Sequence, residues 1–216
     1  MIKWSFSSLK DYVNCPKQYQ EIKVLQNVVK KVSSQMQYGT EVHKALEEYA
    51  TSGKDLPIHY SKFKEMVDVL LNIKGQKYIE YKMALTEHKI PCEFDAPQYW
   101  VRGIVDLMIV DGDTAFVIDY KTGSNKYPDP KQLKLMALMT FAHFPQVQTV
   151  RAGLLFVVHN SFLPDNYVRQ KQDIYWQEFN PDLARMERSF RLGHWTPNPS
   201  PLCRWCPVKT CDYYED

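Results

Sequence analysis

The chain has 216 residues, of which 44% are hydrophobic, 24% charged and 13% aromatic, an ordinary globular composition that excludes a fibrous or wholly disordered chain. Lysine plus arginine number 27 against 25 aspartate plus glutamate, a balance that permits a nucleic-acid partner without requiring one. No apolar run approaches the roughly 20 residues of a membrane-spanning helix, and the first residues lack the pattern of a secretory signal. We therefore expect a cytoplasmic protein with no membrane partner, whose cysteines are thiols or metal ligands.

The first third of the chain has mainly helical patterns. Ser8, with Asp11 three residues later, predicts a capping box before a short helix that Pro16 interrupts. Apolar residues at helical spacing predict further helices over residues 39–50 and 62–73.

The pattern then changes to that of β-strands. Strands are predicted over 77–86, 99–110, 115–120 and 151–159, with a hairpin turn at Asp111-Gly112-Asp113 between the second and the third. Helices are predicted over 131–143 and from Asn180 to about 192. A helix that crosses between strands implies a mixed sheet. The predicted fold class is therefore α/β, with a mixed central β-sheet flanked by helices.

Two acidic residues and a lysine lie on the predicted hairpin. Asp106 is within an apolar strand, where an unpaired charge is costly, and Asp119 and Lys121 share one face at the end of the next strand. The two carboxylates suit binding of Mg²⁺ or Mn²⁺ for phosphodiester hydrolysis, with Lys121 orienting water or offsetting charge. The backbone carbonyl of Tyr120 is a further candidate oxygen ligand. The alternative interpretation is a salt-bridged strand end on a surface hairpin.

Three thiols, Cys203, Cys206 and Cys211, lie within nine positions near the end of the chain. Such spacing is typical of ligands to Zn²⁺ or to an iron-sulfur cluster, and either site needs a fourth ligand. Cys15 is the candidate for that ligand, and Cys92 is left over. The alternative for Cys15 is a small buried apolar residue.

Three segments occur along the chain in a set order: Gly39-Thr40-Glu41-Val42-His43, then Gly103-Ile104-Val105-Asp106, then Val117-Ile118-Asp119-Tyr120-Lys121-Thr122-Gly123. Together they resemble motifs of the RecB-type branch of the PD-(D/E)XK nuclease superfamily. The resemblance runs from Trp4 to Cys211. It implies a restriction-endonuclease-like core over a single domain, residues 1–216.

The resemblance also implies roles for particular residues. His43 corresponds to a metal ligand of the family, although a histidine satisfied within its helix is the alternative. Glu80 resembles the acidic residue that precedes the central hairpin in many members, although an exposed strand carboxylate is the alternative. Gln132 resembles the start of the family's Q-x-x-x-Y motif, in which Met136 occupies the tyrosine position; a helix-start residue bound to nearby backbone is its alternative. The implied catalytic residues are Asp106, Asp119, Lys121 and Gln132, and the implied metal ligands are His43, Asp106, Asp119 and Tyr120.

The cysteine layout resembles that of iron-sulfur members, including the AddB nuclease domain and CRISPR-associated exonucleases. Small stand-alone relatives occur in phages and in CRISPR loci, so the resemblance allows a phage-encoded protein. The iron-sulfur members have one cysteine near the start of the domain and three near its end. The resemblance implies a 4Fe-4S cluster on Cys15, Cys203, Cys206 and Cys211, within a region formed by residues 1–30 and 193–216. The chain ends would then be joined at the cluster, and Zn²⁺ is the alternative metal.

The expected function is that of a metal-dependent DNA exonuclease that acts at single-stranded ends in recombination, repair or end processing. The expected partner is DNA with free ends, and the resemblance allows a homo-oligomer or recombination and CRISPR partner proteins. The alternative is a catalytically silent module, held together by its metal, that binds nucleic acid or recruits a partner.

Overall fold

The computed structural model describes residues 2–126 and 128–214. Its helices are α1 Phe6–Asn14, α2 Pro16–Tyr19, α3 Ser34–Ser52, α4 Lys64–Leu71, α5 Lys131–His143, α6 Gln172–Gln177 and α7 Asn180–Leu192. Its strands are β1 Gln76–Leu85, β2 Pro91–Cys92, β3 Val101–Asp111, β4 Thr114–Lys121, β5 Thr149–Phe156 and β6 Ser161–Val168. Two compact units contain these elements: residues 33–176 form the sheet unit, and the segments up to Val32 and from Gln177 onward form the terminal unit. The single nuclease domain expected over residues 1–216 stays a prediction.

The sheet unit is built on six strands in the order β2-β1-β3-β4-β5-β6. Strands β4 and β5 are parallel and are connected through α5, whereas all the other neighbouring pairs are antiparallel. The hairpin between β3 and β4 turns at Gly112, whose φ of 62° lies in the left-handed region that glycine adopts without strain. The predicted fold class, a mixed sheet flanked by helices, is confirmed.

Helices α3 and α5 cover opposite faces of the sheet because side chains alternate along each strand. On one face, Leu107 and Ile109 pack in a core cluster with Val42 and Leu46 of α3. On the other face, the Thr140 hydroxyl of α5 contacts the sulfur of Met108 at 3.6 Å. This packing fixes α3, and with it His43, against the middle of β3, where Asp106 lies.

The terminal unit brings α1 and α7 together. The Tyr12 hydroxyl lies 2.9 Å from the Ser189 hydroxyl in a buried contact, and Tyr19 stacks on Trp195 with ring centroids 6.1 Å apart. Pro16 separates α1 from α2, as expected. The capping box, however, is formed by Ser5 and Ser8 rather than by Ser8 and Asp11. The prediction was wrong because a serine also serves at the third helical position, where glutamate or glutamine is the usual partner.

Within the described chain, no helix combines the length and apolar character that crossing a bilayer requires.

Candidate active site

The β3–β4 hairpin positions the acidic residues of the site. Leu107 pairs with Ile118 in the antiparallel ladder, so Asp106 and Asp119 occupy the next position on each strand. Both side chains are buried, with exposed fractions of 9% and 4%. Asp106 Oδ2 accepts a hydrogen bond of 2.6 Å from the backbone N–H of Tyr120. This bond fixes one oxygen of Asp106 between the two strands.

A second strand pair adds Glu80 to Asp106. The ladder pairs Ile79 with Leu107 and Tyr81 with Val105, so Glu80 lies opposite Asp106. His43 of α3 approaches the same place, with its Nδ1 3.3 Å from Asp106 Oδ1. One ligand atom from each of His43, Glu80 and Asp106 lies within 4.8 Å of the other two. We name these three residues the donor group.

The donor group has the chemistry of a divalent-metal site. Carboxylate oxygens suit Mg²⁺ and Mn²⁺, and imidazole is a common additional ligand for transition metals. Two carboxylates face each other in a half-buried place, an arrangement that a cation stabilises by offsetting their repulsion. The residues therefore fit a divalent ion, and His43, Glu80 and Asp106 could hold it.

A second cluster, which we name the lysine cluster, consists of Asp119, Lys121 and Gln132. The Lys121 ammonium lies 2.5 Å from Asp119 Oδ2 and donates a hydrogen bond of 2.8 Å to Gln132 Oε1. Gln132 Nε2 in turn donates to Asp119 Oδ1 at 2.6 Å. The three side chains thus form a closed triangle in which each holds the other two.

Asp119 Oδ2 is buried and has no hydrogen bond of acceptable geometry among the described residues, although the Lys121 ammonium is 2.5 Å away. The contact is therefore an ion pair without a well-aligned N–H. A buried carboxylate oxygen in this state retains a lone pair for a further donor or a cation.

Burial and mutual repulsion set the protonation of the carboxyl groups. Burial, then the Asp106 charge, raises the pKa of Glu80 to about 7. The same two causes, in the same order, raise the pKa of Asp119 against the opposing effect of Lys121. For His43, burial lowers the pKa, but the hydrogen bond and charge of Asp106 outweigh it, so the net shift is upward. Each shift reflects an excess of negative charge in a poorly solvated place.

The structure places the predicted site residues in two clusters. It brings His43 and Asp106 together with Glu80, and it brings Asp119 and Lys121 together with Gln132. Among the described residues, Asp119 is not one of the close metal-ligand triad, but its charge acts on the pKa of His43 and of Glu80. Tyr120 contributes its backbone N–H to Asp106, and a ligand role for its carbonyl stays a prediction. Met136 is buried, with 5% of its surface exposed.

Glu80 was the residue that sequence reasoning left open. Its position in the β1 segment was visible, but the pairing that sets it opposite Asp106 depends on the strand register. The resemblance to the family pointed to Glu80, but the alignment of the preceding strand with the hairpin, which decides the matter, cannot be read from the sequence of one chain.

The four predicted cluster cysteines lie in the terminal unit and line one small cavity of about 20 Å³. Three of their sulfurs accept N–H hydrogen bonds: Cys206 from the Gln18 side chain at 3.1 Å, Cys203 from Ser200 at 3.3 Å, and Cys15 from Gln18 and Asn198 at 3.5 Å. Each of these three sulfurs is therefore oriented by at least one neighbouring N–H group. Within the part of the chain that the structure describes, no three cysteine sulfurs lie within 4.8 Å of one another.

The family model of the PD-(D/E)XK nuclease superfamily matches residues 3–211. A match of this extent identifies the fold as that of a nuclease superfamily whose members use divalent metal ions. The chain belongs to the PD-(D/E)XK nuclease superfamily.

Two solved structures are similar to the chain. One is a crystal structure described as "Putative exonuclease" from Eubacterium rectale, with a TM-score of 0.53 and 12% sequence identity over 97% of this chain and 86% of that chain. The other, described as SSO0001, has a TM-score of 0.46 and 14% identity over 99% of this chain and 87% of that chain. At 12% identity the first likeness concerns the fold alone. None of the curated proteins matches the chain.

Proposed function

We propose that the protein is a divalent-metal-dependent deoxyribonuclease that removes nucleotides from DNA ends, single-stranded ends in particular. The observation that carries this proposal is the placement of the donor group and the lysine cluster at the end of one hairpin, joined through the neighbouring positions Asp106 and Asp119. Hydrolysis of a phosphodiester needs a cation, a correctly placed water and compensation of charge on the phosphate, and these residue types supply the means for each.

The donor group would hold the metal through His43, Glu80 and Asp106. A divalent ion bound there supplies a Lewis acid for the phosphate oxygen and lowers the pKa of water. The Tyr120 N–H already orients Asp106 by a hydrogen bond of 2.6 Å to Oδ2. The other carboxylate oxygen, Oδ1, is therefore directed towards His43, whose Nδ1 is 3.3 Å away. Little side-chain motion is then required before a cation binds.

The lysine cluster would position the reacting groups. An ammonium has three N–H donors, and the structure directs Lys121 towards Asp119 and Gln132. At least one donor is left for a water or a phosphate oxygen, and the side chain is accessible, with 33% of its surface exposed. Gln132 holds Asp119 by its amide N–H and Lys121 by its carbonyl oxygen, so it acts as a positioning residue for both.

The substrate and setting rest on analogy. Membership of a nuclease superfamily supports DNA as substrate, and the structural neighbour described as an exonuclease supports attack at ends. The resemblance to the RecB-type branch supports a cytoplasmic role in recombination, repair or end processing.

The test of this function compares Asp119→Ala with wild type and with Asp173→Ala, an exposed carboxylate of α6. We expect wild type and Asp173→Ala to degrade DNA with Mg²⁺ or Mn²⁺, and Asp119→Ala to be inactive with unchanged circular dichroism. Full degradation by folded Asp119→Ala would overturn the assignment, as would a wild type without activity under any divalent-metal condition.

We also propose a 4Fe-4S cluster on Cys15, Cys203, Cys206 and Cys211. Support comes from the shared cavity and the N–H donors to three of the sulfurs. A single Zn²⁺ with Zn–S bonds of about 2.3 Å draws its thiolates to about 3.8 Å from one another, closer than any three of these sulfurs lie. The ligand sulfurs of an iron-sulfur cluster lie farther apart than those of a single Zn²⁺, so the wider spacing favours the cluster.

The cofactor is tested on anaerobically purified protein. We expect a visible absorption band and about four irons per chain. In Cys206→Ser we expect a weaker band and a lower iron content. The matched control is Cys92→Ser, because Cys92 lies in the sheet unit and outside the cavity. Colourless protein that contains one zinc per chain would contradict the cluster.

A further inference from the structure

The terminal unit contains a second cavity, of about 480 Å³, within the size range of small-ligand sites. One wall is the exposed face of α7, with Arg185 and Arg188 one turn apart on the helix. The opposite side is formed by Tyr12 of α1 and by the segment after α7, which contributes His194 and Thr196. All the lining residues belong to the terminal unit.

The lining of this cavity is cationic. None of the described residues that line it carries a carboxylate, whereas two guanidinium groups and one imidazole face it. Arg185 is engaged on one side by Asp182 at 2.6 Å, and Arg188 has no ion-pair partner among the described residues. A guanidinium has five N–H donors in a planar fork, so both arginines retain donors for a ligand.

The sheet unit provides a contrast. Its larger cavity, of about 790 Å³, is lined by Glu93 and Asp95 as well as Lys82. Two carboxylates repel a phosphate, so volume alone does not select the ligand. The absence of acidic groups among the described lining residues makes the cavity beside α7 the better site for an anion.

The walls of the cationic cavity are held in place before any ligand binds. The buried contact between the Tyr12 and Ser189 hydroxyls, at 2.9 Å, ties α1 to α7. Asn198 donates a side-chain hydrogen bond of 3.0 Å to the Asn14 carbonyl, which ties the segment after α7 to the end of α1. A rigid site loses less conformational entropy on binding.

We infer that this cavity binds a phosphodiester group of a DNA strand. The inference rests on the proposed function for the choice of DNA as the source of phosphate. Arginine recognises phosphate with paired hydrogen bonds, and the hydroxyl of Thr196 and the imidazole of His194 add further donors. Tyr12 is buried against Ser189 and forms part of the fixed wall behind these donors.

The test measures binding of a fluorescent single-stranded oligonucleotide by anisotropy in EDTA, where no hydrolysis occurs. The variants are Arg188→Ala and Arg185→Ala/Arg188→Ala, and the matched control is Arg191→Ala, an exposed arginine of α7 outside the cavity. We expect about tenfold weaker binding for Arg188→Ala, because a charge-assisted hydrogen bond is lost. We also expect the plot of the logarithm of the binding constant against the logarithm of the salt concentration to become shallower. Its slope should change by about one unit for each phosphate contact removed.

Unchanged affinity in the double variant would overturn the inference, and so would an equal loss in Arg191→Ala, which would indicate general charge attraction. Competition by inorganic phosphate at constant ionic strength distinguishes a DNA phosphodiester from free phosphate as the ligand. We expect millimolar phosphate not to displace the DNA strand. Displacement would assign the cavity to free phosphate instead. Because binding is measured without a metal ion, an inactive wild type that still shows the arginine effect refutes the nuclease proposal and leaves this one standing.

Discussion

Glu80 and Asp106 lie opposite each other on two neighbouring antiparallel strands, between the ladder pairs Ile79 with Leu107 and Tyr81 with Val105. Glu80 has a φ of 48°, in the left-handed region that costs a residue with a side chain about 1–3 kcal/mol. Strand pairing on both sides holds the residue in this conformation. Strain of this kind is found where function requires it, and here it coincides with a close group of three metal-compatible side chains.

The first prediction concerns Glu80→Gln. Because burial and Asp106 raise the pKa of Glu80 to about 7, its ionised form destabilises the metal-free fold as pH rises from the ordinary carboxyl range through 7. At pH 8 we expect Glu80→Gln to unfold at the same temperature as wild type or a higher one. We expect Mn²⁺ to raise the unfolding temperature of wild type but to have little effect on the variant.

Thermal unfolding with and without Mn²⁺ measures this difference, and Glu93→Gln serves as control because Glu93 is exposed and outside the donor group. An equal Mn²⁺ shift in Glu80→Gln and wild type would exclude Glu80 as a ligand.

The second prediction concerns Gln132→Leu. This change removes both hydrogen bonds that fix Asp119 and Lys121 while it keeps the size of the side chain. Misplacement of catalytic groups by about 1 Å costs on the order of 100-fold in rate, so we expect a kcat lower by roughly 10- to 100-fold. Steady-state kinetics on a DNA substrate gives the value. Gln98→Leu, at an exposed position, is expected to retain the wild-type rate; a Gln132→Leu variant as fast as this control would show that the triangle is dispensable.

The third prediction concerns pH and His143. Burial lowers the pKa of His143, against the hydrogen bond between its Nε2 and the Ala84 carbonyl at 3.0 Å. A lowered pKa means that the folded protein binds fewer protons than the unfolded chain, so this stabilising contribution is complete above the ordinary value of about 6.5 and is lost as pH falls below it.

In wild type we expect the free energy of unfolding to fall between about pH 7 and pH 5, and in His143→Gln, which keeps an N–H donor, we expect a smaller fall. The difference should be less than about 1 kcal/mol, because the group is half-buried. Urea denaturation at each pH measures the slope. His88→Gln, in an exposed loop, provides the comparison. A steeper slope in His143→Gln than in wild type would mean that His143 has a raised pKa in the folded protein.

The fourth prediction concerns the buried hydroxyl pair of the terminal unit. Tyr12→Phe leaves the Ser189 hydroxyl buried without its partner, which costs about 1–3 kcal/mol. Adding Ser189→Ala removes the stranded hydroxyl, so we expect the double variant to recover part of that loss. Urea denaturation of both single variants and the double variant gives the coupling energy. Strictly additive changes would mean that the two hydroxyls do not interact.

Much of the fold was predictable because its central elements have strong local signals. The apolar strands around Asp111-Gly112-Asp113 indicated the β3–β4 hairpin, and the helix expected over 131–143 is α5 with the same bounds. Strand β6 was missed. It is an edge strand that contains Pro164, and its residues alternate in exposure without a matching alternation of polar and apolar types in the sequence. Proline is tolerated there because one side of an edge strand makes no ladder bonds.

The candidate site was predictable where its residues are close in sequence. Asp119 and Lys121 share a strand face, and a short turn connects them to Asp106. The contact of Gln132 with both members of the pair depends on the path of the chain after β4 and was suggested by resemblance alone. The contribution of Glu80 depends on strand register and on an unusual backbone angle, neither of which hydrophobic patterning encodes.

The most direct test of the account is a time course of hydrolysis on end-labelled single- and double-stranded DNA, with and without Mn²⁺. It compares wild type, Lys121→Ala and Lys126→Ala, the last being an exposed lysine of the following loop. We predict progressive loss of nucleotides from single-stranded ends by wild type and by Lys126→Ala, only with Mn²⁺. Lys121→Ala should be at least about 100-fold slower, the usual effect of removing one group that stabilises transition-state charge. Hydrolysis by folded Lys121→Ala at the wild-type rate would contradict the account.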